Sequence, residues 1–132
     1  MKINIAIDGP GAAGKSTIAK CLAKKLNYVH LDTGAMYRST AYKALQNHIS
    51  LEDEEAVCKM LENTKIQLAT DGSIFLDGED VSDKIRTNEI SLAASLVSKL
   101  AKVRRMLVER QQEMAKEKGF IMDGRDIGTV VL

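Results

Sequence analysis

A glycine-rich segment near the start of the chain carries residue types that bind phosphate. It reads Gly9-Pro10-Gly11-Ala12-Ala13-Gly14-Lys15-Ser16 and matches the pattern G-x-x-x-x-G-K-S without a gap. Glycines let the backbone curl so that several N–H groups point into one anion-sized hollow, and a following helix adds the positive end of its dipole. The Lys15 ammonium can reach the β- and γ-phosphates of a nucleotide, and the Ser16 hydroxyl can bind Mg²⁺. The segment therefore predicts a nucleotide-phosphate site.

Two other kinds of nucleotide-binding protein are alternatives for this segment: a dinucleotide-binding protein and a GTPase. Gly9, Gly11 and Gly14 also fit G-x-G-x-x-G, and Asp32 follows in the region where a dinucleotide-binding protein places its ribose-binding acid. The Lys15-Ser16 pair disfavours that interpretation, because a dinucleotide pyrophosphate packs against backbone where this lysine stands. A GTPase is also disfavoured, since the sequence contains no N-K-x-D motif.

Further charged side chains follow two later predicted strands. Arg38 lies shortly after the second strand and can give bidentate hydrogen bonds to a phosphate. Asp123 ends an apolar strand, the pattern of a carboxylate that faces Mg²⁺, often through water. Arg125 and Asp126 come next, and an acid beside an arginine can accept from an exocyclic amine or a sugar hydroxyl. Because strand ends line the ligand crevice of α/β sheets, we expect these groups to lie near the phosphate loop.

The elements that must position these residues begin with a strand–turn–helix–strand unit. The β-branched run Ile3–Ile7 predicts a buried parallel strand, and the turn 9–14 leads into a predicted helix over Lys15–Leu26. A second short strand is predicted over Tyr28–Leu31. Much later, Phe120-Ile121-Met122 predicts a third strand that ends at Asp123. This order is typical of a parallel α/β sheet.

The middle of the chain has a different pattern. Ala35–Gln46 is predicted to be helical, and Ser50 precedes an acidic turn that indicates the start of the next helix. Lys65–Val81 changes to period two around Asp71-Gly72 and Asp77-Gly78, which predicts a small antiparallel meander. Helical spacing returns from Ile90 to Met114, and Gly119 is expected to close the last helix.

These patterns predict one architecture. The fold is expected to be α/β: a P-loop parallel sheet with helices on both faces, formed by residues 1–34 and 117–132. Residues 35–116 are expected to form a helical insertion that carries the antiparallel meander at about 65–81.

Composition narrows the classes of protein further. The 132 residues carry 19 Lys or Arg and 18 Asp or Glu, so a net charge of +1 gives no general attraction to nucleic acid or anionic lipid. Aromatic residues make up 4%, too few for a base-stacking platform. Cys21 and Cys58 are expected to be buried, reduced thiols, because they form no C-x-x-C motif. We expect a cytoplasmic protein, with no membrane segment and no nucleic-acid partner.

Four ordered motifs closely resemble the bacterial cytidylate (CMP) kinase family. They are D-G-P-G-A-A-G-K-S-T at 8–17, L-D-T-G-A-M-Y-R at 31–38, G-E-D-V-S-D-K-I-R-T at 78–87 and D-G-R-D-I-G-T-V-V at 123–131. The resemblance implies a nucleoside monophosphate kinase fold and transfer of the ATP γ-phosphoryl group to CMP or dCMP with Mg²⁺. It also implies that residues 65–81 form the small sheet of the monophosphate-binding domain.

The resemblance also implies the roles of individual residues. Catalysis is assigned to Lys15 and Arg125, and metal binding to Ser16 and Asp123. Asp126 would read the cytosine amino group while arginines hold the α-phosphate. ATP is assigned to Gly9, Pro10, Gly11, Ala12, Ala13, Gly14, Lys15, Ser16 and Thr17. The monophosphate is assigned to Thr33, Arg38, Ser95, Arg104, Arg125 and Asp126, of which Ser95 and Arg104 are placed only by their distance from Ile85-Arg86-Thr87.

Members of the resembled family extend beyond residue 132, so we expect this segment to lack the remaining core strands and the arginine-rich lid. The full-length protein is expected to be a monomer. Two alternatives stay open at this stage. One is another small-molecule P-loop kinase of the shikimate or dephospho-coenzyme A type, which has no use for the 78–87 segment together with Asp126. The other is a fragment that binds nucleotide without catalysing transfer.

Overall fold

The computed structural model describes residues 5–7, 25–26, 29–69, 72–116 and 120–123, and in them helices and strands are mixed. Six strands are present in this part of the chain: β1 (Ile5–Ile7), β2 (Val29–Leu31), β3 (Ile66–Leu68), β4 (Ile74–Leu76), β5 (Glu79–Asp80) and β6 (Phe120–Asp123). The helices with complete bounds are α1 (Thr33–Gln46), α2 (Glu54–Glu62), α3 (Asn88–Val97) and α4 (Ala101–Lys116). Lys25 and Leu26 are also helical, within the predicted first helix.

Strands β1, β6 and β2 form a parallel sheet in that order. Ile7 pairs with Asp123 on one side of β6, and Leu31 pairs with Met122 on the other. Strand β6 is therefore central although it comes last in the sequence. Strands are present within all three predicted segments, and β2 ends at Leu31 as predicted. The residues that flank β1 and follow β6 lie outside the described part of the chain.

A second sheet has the order β3-β4-β5, and β4 pairs with β5 in the antiparallel direction. The prediction of a small antiparallel sheet between residues 65 and 81 is confirmed. Asp77 and Gly78 form its two-residue turn with φ of 52° and 87°. Positive φ at both central residues is what a type I′ hairpin turn requires, and Asp-Gly is among the pairs that accept it.

Helix α2 begins later than its sequence signal indicated. Asp53 is the N-cap residue, because its side chain accepts a hydrogen bond from the Ala56 N–H at 3.1 Å. Ser50 instead forms the turn before it: its hydroxyl accepts from the Glu52 N–H at 3.3 Å and its carbonyl from the Asp53 N–H at 3.1 Å. Asp and Ser are about equally good N-cap residues, and here Asp53 takes that position while Ser50 completes the preceding turn.

Helices α1 and α3 pack together through small side chains. Ala41 of α1 and Ala93, Ala94 and Val97 of α3 form one buried cluster, with Tyr37 packed against it. Alanines let two helix axes approach closely, so the polar groups of the same helices are held at a fixed separation. Helix α1 begins at Thr33, two residues before its predicted start, which places Thr33 and Gly34 in its first turn.

Two compact units are distinguished by their internal packing. The first contains residues 1–32, 68–73 and 108–132, and the second contains residues 33–67 and 74–107. The first unit holds the parallel sheet. The second holds α1, α2, α3 and the first turns of α4. Three predictions fall wholly or partly outside the described residues: residues 15–24 of the helix predicted over Lys15–Leu26, Asp71 of the first Asp-Gly turn, and Gly119 as the end of the last helix.

Candidate active site

The carboxyl ends of β1, β2 and β6 lie at one edge of the parallel sheet. The pairs Ile7–Asp123 and Leu31–Met122 set the three strand ends side by side. In open α/β sheets this is the edge where ligands bind. The sequence continues from β1 into the phosphate-loop motif and from β6 into Gly124-Arg125-Asp126, and both segments lie outside the described residues.

The second unit contains a cavity of about 270 Å³ between α1 and α3. Arg38 supplies a guanidinium at its wall, and Ser91, Ser95 and Ser98 supply hydroxyls along one face of α3. The lining residues are Gly34, Tyr37, Arg38, Ser91, Ala94, Ser95 and Ser98. The combination of one cation, an aromatic ring and several hydroxyls suits a polar ligand that carries an anionic group.

Two of the cavity hydroxyls, those of Ser95 and Ser98, use their protons in hydrogen bonds to the helix backbone. Ser95 Oγ donates to the Ser91 carbonyl at 3.2 Å, and Ser98 Oγ donates to the Ser95 carbonyl at 2.9 Å. A hydroxyl has one proton and two lone pairs, so each oxygen keeps acceptor capacity after donating to the helix. Donors of a ligand, such as sugar hydroxyls or an exocyclic amine, would find partners along this face.

Arg104 lies beside the cavity on α4. Its Nη1 donates to the Ser98 carbonyl at 2.9 Å, which holds the guanidinium at the C-terminal end of α3. Burial raises the pKa of the Tyr37 hydroxyl, and the positive charge of Arg104 partly lowers it again. Tyr37 is therefore neutral at physiological pH, and a second cation lies near the cavity wall in addition to Arg38.

The family model for cytidylate kinase matches residues 5–132. The chain belongs to the cytidylate kinase family. A cytidylate kinase of Caldicellulosiruptor bescii is 59% identical over 134 residues, covering 99% of this chain and 59% of the relative. Cytidylate kinases of Caldicellulosiruptor saccharolyticus and a Geobacillus species are 57% and 53% identical, with similar coverage. The chain thus spans about three fifths of the length of these curated relatives.

The second unit contains four of the six residues that the family resemblance assigned to the monophosphate. Arg38 and Ser95 line the same cavity, Thr33 is the first residue of α1 next to the lining residue Gly34, and Arg104 bonds to the carbonyl of lining residue Ser98. The others lie outside the described residues: Gly9–Thr17 of the ATP set, and Arg125 and Asp126. Of Asp123 the structure describes only the backbone.

The sequence analysis missed several cavity residues. Ser91 and Ser98 stand four residues before and three after Ser95, so helical periodicity alone would have placed all three hydroxyls on one face. Tyr37 precedes Arg38 and was treated only as part of a motif. Gly34 and Ala94 carry no side-chain group that binds a ligand, so residue type alone gives no signal that they line a cavity.

A larger cavity of about 500 Å³ lies between α2 and the first turns of α4, and none of the predicted site residues lines it. Its walls carry acidic and basic side chains together with Cys58: Glu55, Cys58, Lys59, Glu62, Lys102, Arg105 and Met106. Cys58 is a free thiol as expected, although half-buried rather than buried. Burial and the nearby Glu54 carboxylate raise the pKa of this thiol, so it stays protonated and weakly nucleophilic.

Within the described residues, the helices are too short or too polar to cross a membrane.

Proposed function

We propose that this protein is a nucleoside monophosphate kinase that transfers the γ-phosphoryl group of ATP to CMP or dCMP. The observation that carries the proposal is the cavity between α1 and α3, which brings Arg38 and Ser95 together beside Arg104 in a chain of the cytidylate kinase family. Arg38 lies 57 positions before Ser95 and 66 before Arg104 in the sequence, and the family resemblance assigned all three to one ligand. Their convergence supports a monophosphate site.

In this proposal the cavity binds the acceptor nucleotide. Arg38, Arg104 and Arg125 hold the α-phosphate, since guanidinium groups match phosphate oxygens in bidentate geometry. Thr33 and Ser95 contact the nucleoside, and Asp126 accepts a hydrogen bond from the cytosine amino group. The acceptor capacity left on the α3 hydroxyls supports binding of a ligand with several donors.

ATP and Mg²⁺ are proposed to bind at the strand-end edge of the parallel sheet. Residues 9–17 would hold the ATP phosphates, with Lys15 neutralising charge on the β- and γ-oxygens. Ser16 and Asp123 offer hydroxyl and carboxylate oxygens, the hard donors that Mg²⁺ prefers. The pairing of Ile7 with Asp123 supports this set, because both strands lead their phosphate-binding and metal-binding residues to the same edge. When bound, Mg²⁺ would neutralise developing negative charge, while Lys15 and Arg125 position the transferred group.

We also propose a domain architecture, an oligomeric state and a cellular location for the protein. Residues 1–34 and 117–132 would form a P-loop core with helices on both faces, and 35–116 the monophosphate-binding insertion. We further propose a cytoplasmic monomer that binds neither membrane nor nucleic acid. The near-neutral charge of the chain supports the last point.

A coupled assay of ADP formation tests the activity with CMP, dCMP, UMP and AMP as acceptors. The 132-residue chain is compared with a version extended to the length of its relatives. The expected result is turnover of CMP and dCMP by the extended version. Preference for AMP, or for shikimate or dephospho-coenzyme A added as further acceptors, would overturn the proposal. Binding of CMP without turnover by the 132-residue chain alone would identify it as a binding fragment of that enzyme.

The phosphate loop is tested by Lys15→Ala, which should abolish turnover because the β- and γ-phosphates lose their cation. Lys25→Ala is the matched control, since Lys25 is an exposed helical lysine ten residues further along the chain. Unchanged kcat in Lys15→Ala would exclude the assigned loop.

Base selection is tested by Asp126→Asn. Leaving a carboxylate unpaired beside the uracil carbonyl costs on the order of 1–3 kcal/mol, or roughly ten- to hundred-fold in kcat/KM. An amide can donate to that carbonyl, so the preference for CMP over UMP should narrow. If Asp126→Asn kept the wild-type ratio of kcat/KM for CMP to that for UMP, another residue would have to recognise cytosine.

A further inference from the structure

The first turn of α4 has no capping side chain of its own. The Arg104 N–H donates to the Leu100 carbonyl at 3.0 Å, which makes Leu100 the N-cap residue. Leucine has no side-chain acceptor, and α4 has no acidic residue in its first turn. The N–H groups at this end of the helix therefore need a partner from elsewhere.

That partner comes from α2. The Lys102 N–H donates to Glu54 Oε2 at 3.1 Å, across 48 residues of sequence. Lys102 is the second residue of α4, whose N–H a local N-cap side chain would bind. Adjacent carboxylates thus serve different helices: Asp53 caps α2, and Glu54, the first residue of α2, supplies the missing cap of α4.

The capped turn contains Arg104. Its backbone N–H makes the first helical hydrogen bond, and its guanidinium reaches back to the Ser98 carbonyl at 2.9 Å. Fraying of this turn would release the backbone from which the guanidinium extends. Ser98 lines the α1–α3 cavity, so the position of the Arg104 charge beside that cavity depends on the order of α4's first turn.

We propose that Glu54 is a positioning residue for the nucleotide cavity: it caps α4 from a neighbouring helix and thereby holds Arg104 where it can meet a phosphate. This inference rests on the proposed function for its ligand, the nucleoside monophosphate. It assigns Glu54 no contact with that ligand.

The ligand-free test follows Arg104 through Tyr37. The Arg104 charge lowers the pKa of Tyr37 against the effect of burial, so displacement of the guanidinium should raise that pKa further. We expect Glu54→Ala to raise the pKa of Tyr37 toward the value found in Arg104→Met, a variant that lacks the guanidinium charge. The pKa is measured by NMR of labelled tyrosine rings. The Lys102 amide should also exchange with solvent faster. Glu55→Ala, in the same turn of α2, is the matched control and should change neither quantity.

The ligand test measures CMP binding and steady-state kinetics in the extended chain. Glu54→Ala should raise KM and Kd for CMP by about five-fold, with kcat and the KM for ATP within about two-fold. Glu54→Gln, whose amide oxygen can still accept, should lie between. Leu100→Asp supplies a local cap, so Glu54→Ala combined with Leu100→Asp should return toward the values of Leu100→Asp alone.

Two results would overturn the inference: an unchanged Tyr37 pKa in Glu54→Ala, or a KM that rises equally for CMP and ATP without rescue by Leu100→Asp. A wild-type protein that binds no CMP would instead contradict the proposed function. In that case the Tyr37 and Lys102 measurements still decide whether Glu54 positions Arg104.

Discussion

The wall of the α1–α3 cavity and the turn between β4 and β5 are stabilised by opposite kinds of interaction. Ala41, Ala93 and Val97 are almost fully buried where one helix meets the other. In the turn, Asp77 Oδ2 lies 2.5 Å from Lys43 Nζ, and its side chain is 42% exposed. Apolar burial therefore fixes the helices that line the cavity. The β4–β5 turn is held to α1 by a partly exposed charge pair, although the sheet itself buries apolar side chains such as Ile74 and Leu76.

The difference has a consequence for how each region responds to change. Apolar contacts lose free energy when volume is removed and respond little to ionic strength or pH. Exposed ion pairs contribute about 0–1 kcal/mol each and weaken with salt and with titration of either partner. Mutations should therefore separate the two regions by magnitude and by the conditions that alter their effect.

The largest effect is expected at the helix interface. Val97→Ala removes two methyl groups from a side chain that is 0% exposed and should lower the free energy of unfolding by about 2–3 kcal/mol. The loss should be similar in low and high salt, measured by urea denaturation. A loss below about 0.5 kcal/mol would mean that the α1–α3 contact is not a main source of stability.

A smaller effect is expected at the turn. Asp77→Ala removes the carboxylate that accepts a hydrogen bond from the Lys65 N–H at 2.9 Å. It also places an alanine at φ 52°, where alanine has no side-chain hydrogen bond to offset the steric cost of the left-handed conformation. The expected loss is about 1–2 kcal/mol. Asp77→Asn tolerates the same φ and keeps an acceptor for Lys65, so it should lose about 0.5 kcal/mol, and less in 1 M salt.

If Asp77→Asn were as destabilising as Asp77→Ala, the ion pair with Lys43 would outweigh the backbone hydrogen bond. Lys43→Met provides the matched change on the helix side, because it removes the charge and keeps much of the side-chain length. Lys43→Met should lower the free energy of unfolding by the same amount as Asp77→Asn, within experimental error.

Sequence reasoning predicted this turn well and the cavity poorly, for physical reasons. Asp77-Gly78 carries its own conformational requirement, so two residues between alternating runs were enough to predict a hairpin. The cavity depends on helix packing: Ser91 and Ser98 line it where α1 and α3 meet, beside the cluster that contains Ala41 and Ala94. The cap that Glu54 gives to α4 joins residues 48 apart and has no sequence signature. By contrast, the N-cap of α2 was predicted near Ser50 and lies at Asp53, a local competition between two good capping residues.

At alkaline pH the cavity wall should be the sensitive region. Burial holds the pKa of Tyr37 above its ordinary value of about 10. A raised folded-state pKa contributes stability that is fully present below about pH 10 and is lost as pH rises through the folded value. Tyr37→Phe should therefore flatten the decline of unfolding free energy above pH 10. Equal slopes of unfolding free energy against pH in the wild type and in Tyr37→Phe would show that the Tyr37 hydroxyl ionises as readily in the folded protein as in the unfolded chain.

The smallest effect is expected at acid pH, on the sheet side. The hydroxyl and the N–H of Ser82 both donate to Asp80 Oδ1, at 2.6 and 2.9 Å, and lower the pKa of Asp80. Stability from a lowered pKa is present above about pH 4 and is lost as pH falls through the folded value. Ser82→Ala should raise the Asp80 pKa toward that of an unstructured peptide, as followed by NMR titration. The N–H of residue 82 can still donate in this variant, so the rise should be partial, and an unchanged pKa would contradict the Ser82 hydroxyl as the main cause.

The central position of β6 also affects the order in which the chain can fold during synthesis. Strand β2 ends at residue 31 and its partner begins at residue 120, a separation of 89 residues. At about 5–20 residues per second, a ribosome needs about 4–18 s to make that stretch. The β4–β5 hairpin, by contrast, closes across two residues and can form as soon as it emerges. The parallel sheet is thus the high-contact-order part of the molecule, and the edges of β1 and β2 that pair with β6 stay unpaired until β6 has been made.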